Sequence, residues 1–509
     1  MPLTRRQSLK LLASSSLGGV LGWPLPVLAQ HETGQPLALP HDYDGELNQG
    51  VRQFDLRLQQ GSRRFLSGLD TPTFGVNGDF LGPTLRFRRN ERVSLKVTNN
   101  LGETSSLHWH GFHLPPETDG GPHQPVANGE TWNPEFEVLQ YPGTYWYHSH
   151  LPHKSGEQVY KGLAGLIIVE DEDGQPELPS EYGVDDVPVI LQDRRFHDDG
   201  GFDYLTRYED LVMGNMGDRI LVNGTLNARF RPSTRLLRLR LLNAANARTF
   251  NLAFSDNREF VQVASDGGRL EAPVSMQSLR LAAAERAEIL VSCQPGESFR
   301  LISLGRNNDY SVPPGAMNRM LRNLNSEEFE ILAFNAESSL EDRLEIPEQL
   351  AEIYRLPVEA ASNTRRFTLR MGAGMRSGAD RGPGNGPRNG TGGGSGGGNY
   401  FINGRVMDMG FINERIPLNT TEIWEVYNDS PMLHPFHIHN GQFQVLDRDD
   451  APPPANEKGW KDTVRVDPGE TVRLIMRFTD YADENNPYMY HCHILEHEDR
   501  GMMGQFVLI

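Results

Sequence analysis

Only two cysteines, Cys293 and Cys492, occur in 509 residues. That scarcity excludes a disulfide framework as the basis of the fold. Parity alone would allow one bridge between them. Cys492, however, stands between His491 and His493, a setting that points to a metal-bound thiolate. Beyond the N-terminal segment no stretch of 18 residues is continuously apolar, so the mature protein is expected to be soluble, with no membrane partner. Positive charge is also in short supply, with 49 Lys and Arg against 67 Asp and Glu, a net charge of −18. A chain of that sign repels nucleic acid and anionic membrane and attracts cations, metal ions among them.

The first residues read as a targeting segment. Thr4-Arg5-Arg6-Gln7-Ser8-Leu9-Lys10 is a twin-arginine pattern, a modest apolar stretch runs from Leu11 to Leu25, and Val27-Leu28-Ala29 offers a small-residue cleavage site. Residues 1–29 are therefore expected to be a signal peptide, with a periplasmic or secreted product. Twin-arginine export carries folded proteins, which suits a chain that takes up metal before or during folding.

Three copies of one pattern follow. Asn77-Gly78 leads into Glu91 to Asn99, Asn223-Gly224 into Thr234 to Asn243, and Asn403-Gly404 into Thr421 to Asn428. Each is a tight-turn dipeptide followed by a strand of alternating polarity that ends at Asn. The pattern suggests antiparallel sheets with one buried face. Histidine-bearing strands come next in the first and third copies, at Leu107 to His113 and Leu433 to His439. The corresponding stretch of the second, Thr249 to Phe254, has no histidine. Long helical patterns are few. The expectation is an all-β chain of three β-sandwich domains, roughly 40–175, 176–350 and 365–509, the middle one without metal ligands. Residues 372–398, with 13 glycines in 27 positions, are expected to form a flexible loop.

Ten of the 16 histidines fall in four clusters: His108-Trp109-His110, His148-Ser149-His150, His434-Pro435-Phe436-His437-Ile438-His439, and His491-Cys492-His493 with His497. In a strand, side chains two apart share a face and neighbours oppose. His108 and His110 therefore point together, as do His148 and His150, His437 and His439, and His491 and His493. Cys492 points the other way, and so does His434, an odd number of residues from His437 and His439. His497 and Met502 lie beyond the strand and can fold back to the Cys492 side.

This sorting gives two sites. Cys492, His434 and His497, with Met502 as a weak axial ligand, make a blue-copper donor set. The other eight histidines are too many for one zinc ion, which takes four ligands, and suit a cluster of three ions. Imidazole with no carboxylate in the set suits copper. Dioxygen needs four electrons to become water, and four coppers can store them. Cys492 is one peptide bond from His491 and from His493, so the covalent route between the sites is short.

At these residues the chain resembles the multicopper oxidases, the laccases and bacterial copper-efflux oxidases among them. The resemblance covers nearly the whole mature chain and implies three consecutive cupredoxin-like Greek-key β-sandwiches. It implies four coppers: type 1 on His434, Cys492, His497 and Met502; type 2 on His108 and His437; and a type 3 pair on His110, His148 and His493 and on His150, His439 and His491. It further implies proton donors at Asp119 and Glu498, dioxygen as one substrate, and a small reducing donor or Cu(I) as the other. A monomer is the default expectation.

The stretch Tyr490 to Met503 resembles the copper-efflux group in particular, but that group carries a methionine-rich insert where this chain has its glycine tract. It also has an acidic residue and methionines before the type 1 histidine, where Ser430-Pro431-Met432-Leu433 stands here, and a glycine at the position of Asn440. Met371, Met375, Met407, Met409 and Met432 are candidate thioethers for Cu(I) or ordinary packing residues. The leading expectation is laccase-type oxidation of phenols and aromatic amines, with cuprous oxidation in copper tolerance as the alternative. A copper nitrite reductase needs neither eight cluster histidines nor three repeats. Copper-free structural relatives lack ligands that are all present here.

Overall fold

The computed structural model describes residues 34–172, 174–305, 327–342, 344–372 and 400–509; the twin-arginine segment and almost all of the glycine-rich tract, Met375 included, lie outside the described residues. Strands dominate. Among the described residues, helix is limited to Ser155–Lys161, Tyr208–Met213, Leu495–Glu498 and single 3-10 turns. Among the described residues the strands form six sheets, two for each copy of the sequence repeat, giving three β-sandwiches in succession.

The repeat is held by the same bonds each time. Asn77, Asn223 and Asn403 are left-handed, with φ of 55°, 50° and 52°; the glycine after each of the last two is left-handed as well, as the two-residue hairpins there demand. Their side chains reach sideways to a neighbouring strand. Asn77 accepts from Arg57 N at 2.7 Å and donates to Asp55 O; Asn223 bonds Ile190 N and Pro188 O; Asn403 bonds Thr368 N and Arg366 O. A second asparagine ends each long strand. Asn99, Asn243 and Asn428 each donate to two carbonyls, Glu103 and Val126, Arg248 and Leu281, and Met432 and Val466, respectively. Each also accepts from the amide two residues on, at 3.0–3.1 Å. These buried amides fix the loops that lead into the histidine strands, and each bond is worth about 1 kcal/mol net.

The sheets are mixed, where the alternation suggested antiparallel pairing. The long strand of each repeat runs parallel to an earlier one: Val51–Arg63 beside Arg92–Asn100, Asp186–Arg194 beside Leu236–Asn243, and Ala361–Met371 beside Thr420–Asn428. Alternation of polarity is the same for either direction, and the connections are long enough for a parallel return.

Each sandwich has its own apolar core, built around Trp109, Leu239 and Trp424. A further cluster joins Phe80, Trp146 and Ile168 of the first to Ile190, Leu221 and Leu242 of the second. Cys293 and Cys492 are both free and buried; the bridge that parity allowed is absent.

Candidate metal centre

The histidine strands lie within two corresponding sheets. In the first sandwich His108–His110 pairs with Gly143–His148, with His108 opposite His148. In the third, His434–Ile438 pairs with Asp483–Cys492, so that His437 faces His491 and Phe436 faces Cys492. The two sheets meet through imidazoles. The His108 ring stacks on His439 with centroids 4.0 Å apart, and His110 on His437 at 3.7 Å.

One set gathers at Cys492. Its Sγ lies 3.3 Å from Nδ1 of His434 and 3.8 Å from Nδ1 of His497. His497 sits on the short helix Leu495–Glu498, and the chain turns back at Gly501 so that Met502 O accepts from Cys492 N at 3.0 Å. The Met502 side chain is buried in the same core as Cys492. The far edges of both rings are engaged: His434 Nε2 meets Ser430 Oγ at 2.8 Å, and His497 Nε2 donates to Val212 O at 3.1 Å. Those bonds aim both Nδ1 atoms at the sulfur. The Tyr400 ring lies flat on His497, with centroids 4.1 Å apart. Burial raises the Cys492 thiol pKa well above the usual range, so only a bound cation would make it a thiolate at neutral pH.

The other eight histidines enclose a common space. Nε2 atoms of His150, His439 and His491 are mutually 3.3 Å apart. His110 Nδ1 is 3.4 Å from His148 Nε2, and the His493 ring is 5.1 Å from each of those two rings. His108 and His437 each turn Nδ1 to a backbone carbonyl, Asp119 O and Asp462 O, both at 2.8 Å. Their Nε2 atoms, and both nitrogens of His493, are buried without a hydrogen-bond partner. Buried donor atoms of this kind are those that a metal ion would satisfy. Burial and mutual repulsion hold all ten imidazoles below their ordinary pKa, with His148, His434 and His491 lowered to about 3. They are neutral at pH 7, the form that binds metal.

Asp119 and Glu498 both lie against this space. Asp119 Oδ2 accepts from His439 Nδ1 at 2.7 Å, and burial raises its carboxyl to about 6. Glu498 lies 3.2 Å from His150 Nδ1 and 3.3 Å from His491 Nδ1, and burial raises it well above the carboxylate range.

Sequence reasoning missed Asp462. Its Oδ1 accepts from His110 Nε2 at 3.0 Å, which leaves His110 Nδ1 to face the cluster. A carboxylate thus stands beside a set expected to hold none. Lys461-Asp462-Thr463 reads as an ordinary charged strand start, and only the fold brings it to His110. Asn440 has φ of 60°, matching Gly111 at 89° after the His108-Trp109-His110 pair; asparagine tolerates this left-handed turn better than other side chains. Of the methionines, Met371 and Met432 are buried in the core, while Met409 is exposed.

The comparisons agree with this architecture. Two family models described as multicopper oxidase match residues 57–174 and 384–508. A multicopper oxidase of Staphylococcus haemolyticus is 34% identical, over 90% of this chain and 89% of that one. A cell division protein FtsP of Photorhabdus laumondii is 33% identical, over 100% and 99%. The solved structure of a laccase-like multicopper oxidase CueO from Ochrobactrum superposes with a TM-score of 0.79 at 33% identity, over 93% of this chain and 100% of that one.

Proposed function

Since the chain belongs to the multicopper oxidase family, we propose that it is a laccase-like enzyme. It would couple four one-electron oxidations of phenolic or aromatic donors, or of Cu(I), to reduction of dioxygen to water. The observation that carries this reading is the continuity of the two sets: Cys492 belongs to one, and its chain neighbours His491 and His493 belong to the other.

The donor sets fit copper. Neutral imidazoles with unpartnered Nε2 atoms and a buried thiol are what a soft, nitrogen- and sulfur-seeking ion takes. His434, Cys492, His497 and Met502 would hold a type 1 ion, His108 and His437 a type 2 ion, and His110, His148 and His493 with His150, His439 and His491 a type 3 pair. When bound, the four ions supply one-electron transfer and storage of the electrons that dioxygen needs.

The protein's part is position and protons. Asp119 and Glu498 hold protons beside the cluster, Asp119 near His439 and Glu498 between His150 and His491. Carboxyls raised in this way are suited to delivering protons near neutral pH. Tyr400, Val212 and Ser430 cover the type 1 histidines, and so keep water from the sulfur and hold the donor outside this shell.

A dedicated cuprous oxidase has less support. Met371 and Met432 pack in the core, and Ser430 stands at His434 Nε2 where a carboxylate would attract a cation. The relative named for cell division raises a role without turnover, and against it this chain keeps every donor of both sets. Export by the twin-arginine route and a monomeric state belong to the same proposal.

Oxygen uptake by the copper-loaded protein, with 2,6-dimethoxyphenol and with Cu(I) as donors, tests the reading. A blue protein with phenol turnover supports a laccase; fast turnover of Cu(I) alone would favour copper tolerance.

A further inference from the structure

The middle sandwich holds no histidine cluster, yet one of its side chains grips the carboxylate that bonds a cluster histidine. Arg286 opens the strand Arg286–Ser292, and its side chain is fully buried. All five of its N–H donors are used. Nε donates to Thr144 O of the first sandwich at 3.2 Å; Nη1 donates to Ala284 O at 3.0 Å, and Nη2 to Asp266 O at 2.9 Å. The remaining two grip the Asp462 carboxylate of the third, Nη1 to Oδ1 at 2.7 Å and Nη2 to Oδ2. One guanidinium therefore ties three sandwiches together at a single point.

Asp462 in turn governs two ligands. Its Oδ1 accepts from His110 Nε2 and from Thr463 Oγ1, and its backbone carbonyl accepts from His437 Nδ1. Held so, His110 presents Nδ1 and His437 presents Nε2 to the shared space. The neighbourhood is built around this fork. A Cβ on Gly111 would come within 2.5 Å of Asp462 Oδ2 and 3.0 Å of Arg286 Nη2. Lys461 anchors the other side through Asp266 at 2.8 Å and Glu285 at 3.3 Å.

We infer that Arg286 is a positioning residue for the trinuclear ligands: by fixing the Asp462 carboxylate in a bidentate grip, it selects the nitrogen that His110 offers to metal and, through Thr463 Oγ1 and the Asp462 backbone, steadies the His437 ring. This rests on the copper-oxidase reading. The middle sandwich is then part of the active machinery and more than a spacer. Bidentate geometry is the reason for arginine here, since lysine brings charge without the fork.

The test compares the wild type with Arg286→Met, Arg286→Lys and Arg448→Met after identical copper loading. Arg448 is a nearly buried arginine whose guanidinium is taken up by Glu457, Glu470 and Arg465 O. The readouts are copper per chain, the blue type 1 absorbance, the electron paramagnetic resonance of type 2 copper and oxygen uptake. In Arg286→Met the blue absorbance persists, the type 2 hyperfine splitting changes, and cluster copper affinity or oxygen uptake falls about 10- to 100-fold. Arg286→Lys falls between, while Arg448→Met keeps all copper signals even if it melts earlier. Should Arg286→Met fail to fold, the type 2 spectrum of Arg286→Lys is read instead. An unchanged type 2 spectrum and rate in the Arg286 variants overturns the inference, as does uniform loss of every copper signal matched by Arg448→Met. A wild type that never becomes blue overturns the oxidase reading itself.

Discussion

Asp119 Oδ2 stands 2.7 Å from Nδ1 of His439, a carboxyl of the first sandwich bonded to an imidazole of the third. Its other oxygen, Oδ1, has no hydrogen-bond partner. Asp119→Asn keeps the shape and removes the titrating proton. Oxygen uptake is expected to fall about 100-fold or more, with copper content and blue absorbance retained. A rate within a factor of about two would remove Asp119 from the proton route.

Cys492→Ser exchanges the sulfur between His434 and His497 for a hydroxyl. The blue band and donor oxidation should disappear, while the type 2 resonance survives because the eight-histidine set is untouched. Copper analysis and the visible spectrum check this. A blue band in the variant would place the thiolate elsewhere.

Tyr400 lies on His497, and its hydroxyl donates to Leu211 O at 2.7 Å. Tyr400→Ala opens that cover. The expected cost is about 3–5 kcal/mol of stability, and kcat/KM for bulky phenols should rise relative to Cu(I). An unchanged ratio would mean that this shell does not limit access.

The copper-free protein should lose stability as pH falls from 7.5 to 5.5. The ten buried histidines have folded pKa values far below 6.5, so below that pH the unfolded chain binds protons that the folded chain does not, and stability drops. Among the described residues, four buried carboxyls and the half-buried Glu170 and Asp499 oppose this. Asp119 and Asp266 are raised to about 6, Glu496 and Asp499 to about 7, Glu170 moderately and Glu498 strongly, so the folded chain gains protons there as pH falls. The imidazoles outnumber them and are nearly all protonated in the unfolded chain at pH 5.5. Calorimetry should show Tm falling by about 5 °C or more; a Tm that rises toward pH 5.5 would show the carboxyls in control.

Much of this architecture is legible in the chain because its signals are local. An Asn-Gly pair requires a left-handed turn, and strand alternation separates Cys492 from its histidine neighbours. The parallel pairing of Arg92–Asn100 with Val51–Arg63 is hidden, since polarity repeats every two residues in either direction. Asp462 is hidden for a different reason. Its partners His110 and Arg286 are 352 and 176 residues away in sequence, and nothing within Lys461-Asp462-Thr463 points to them. Tyr400 and Val212, which cover His497, are likewise brought there only by the fold.

Full reduction of dioxygen is read from the electron balance. Copper-loaded protein is supplied with a limiting, quantified amount of 2,6-dimethoxyphenol while oxygen and hydrogen peroxide are followed together. Four electrons are expected to be consumed per oxygen molecule, with no peroxide accumulating. Two electrons per oxygen with matching peroxide, or no uptake by a fully loaded protein, would contradict it.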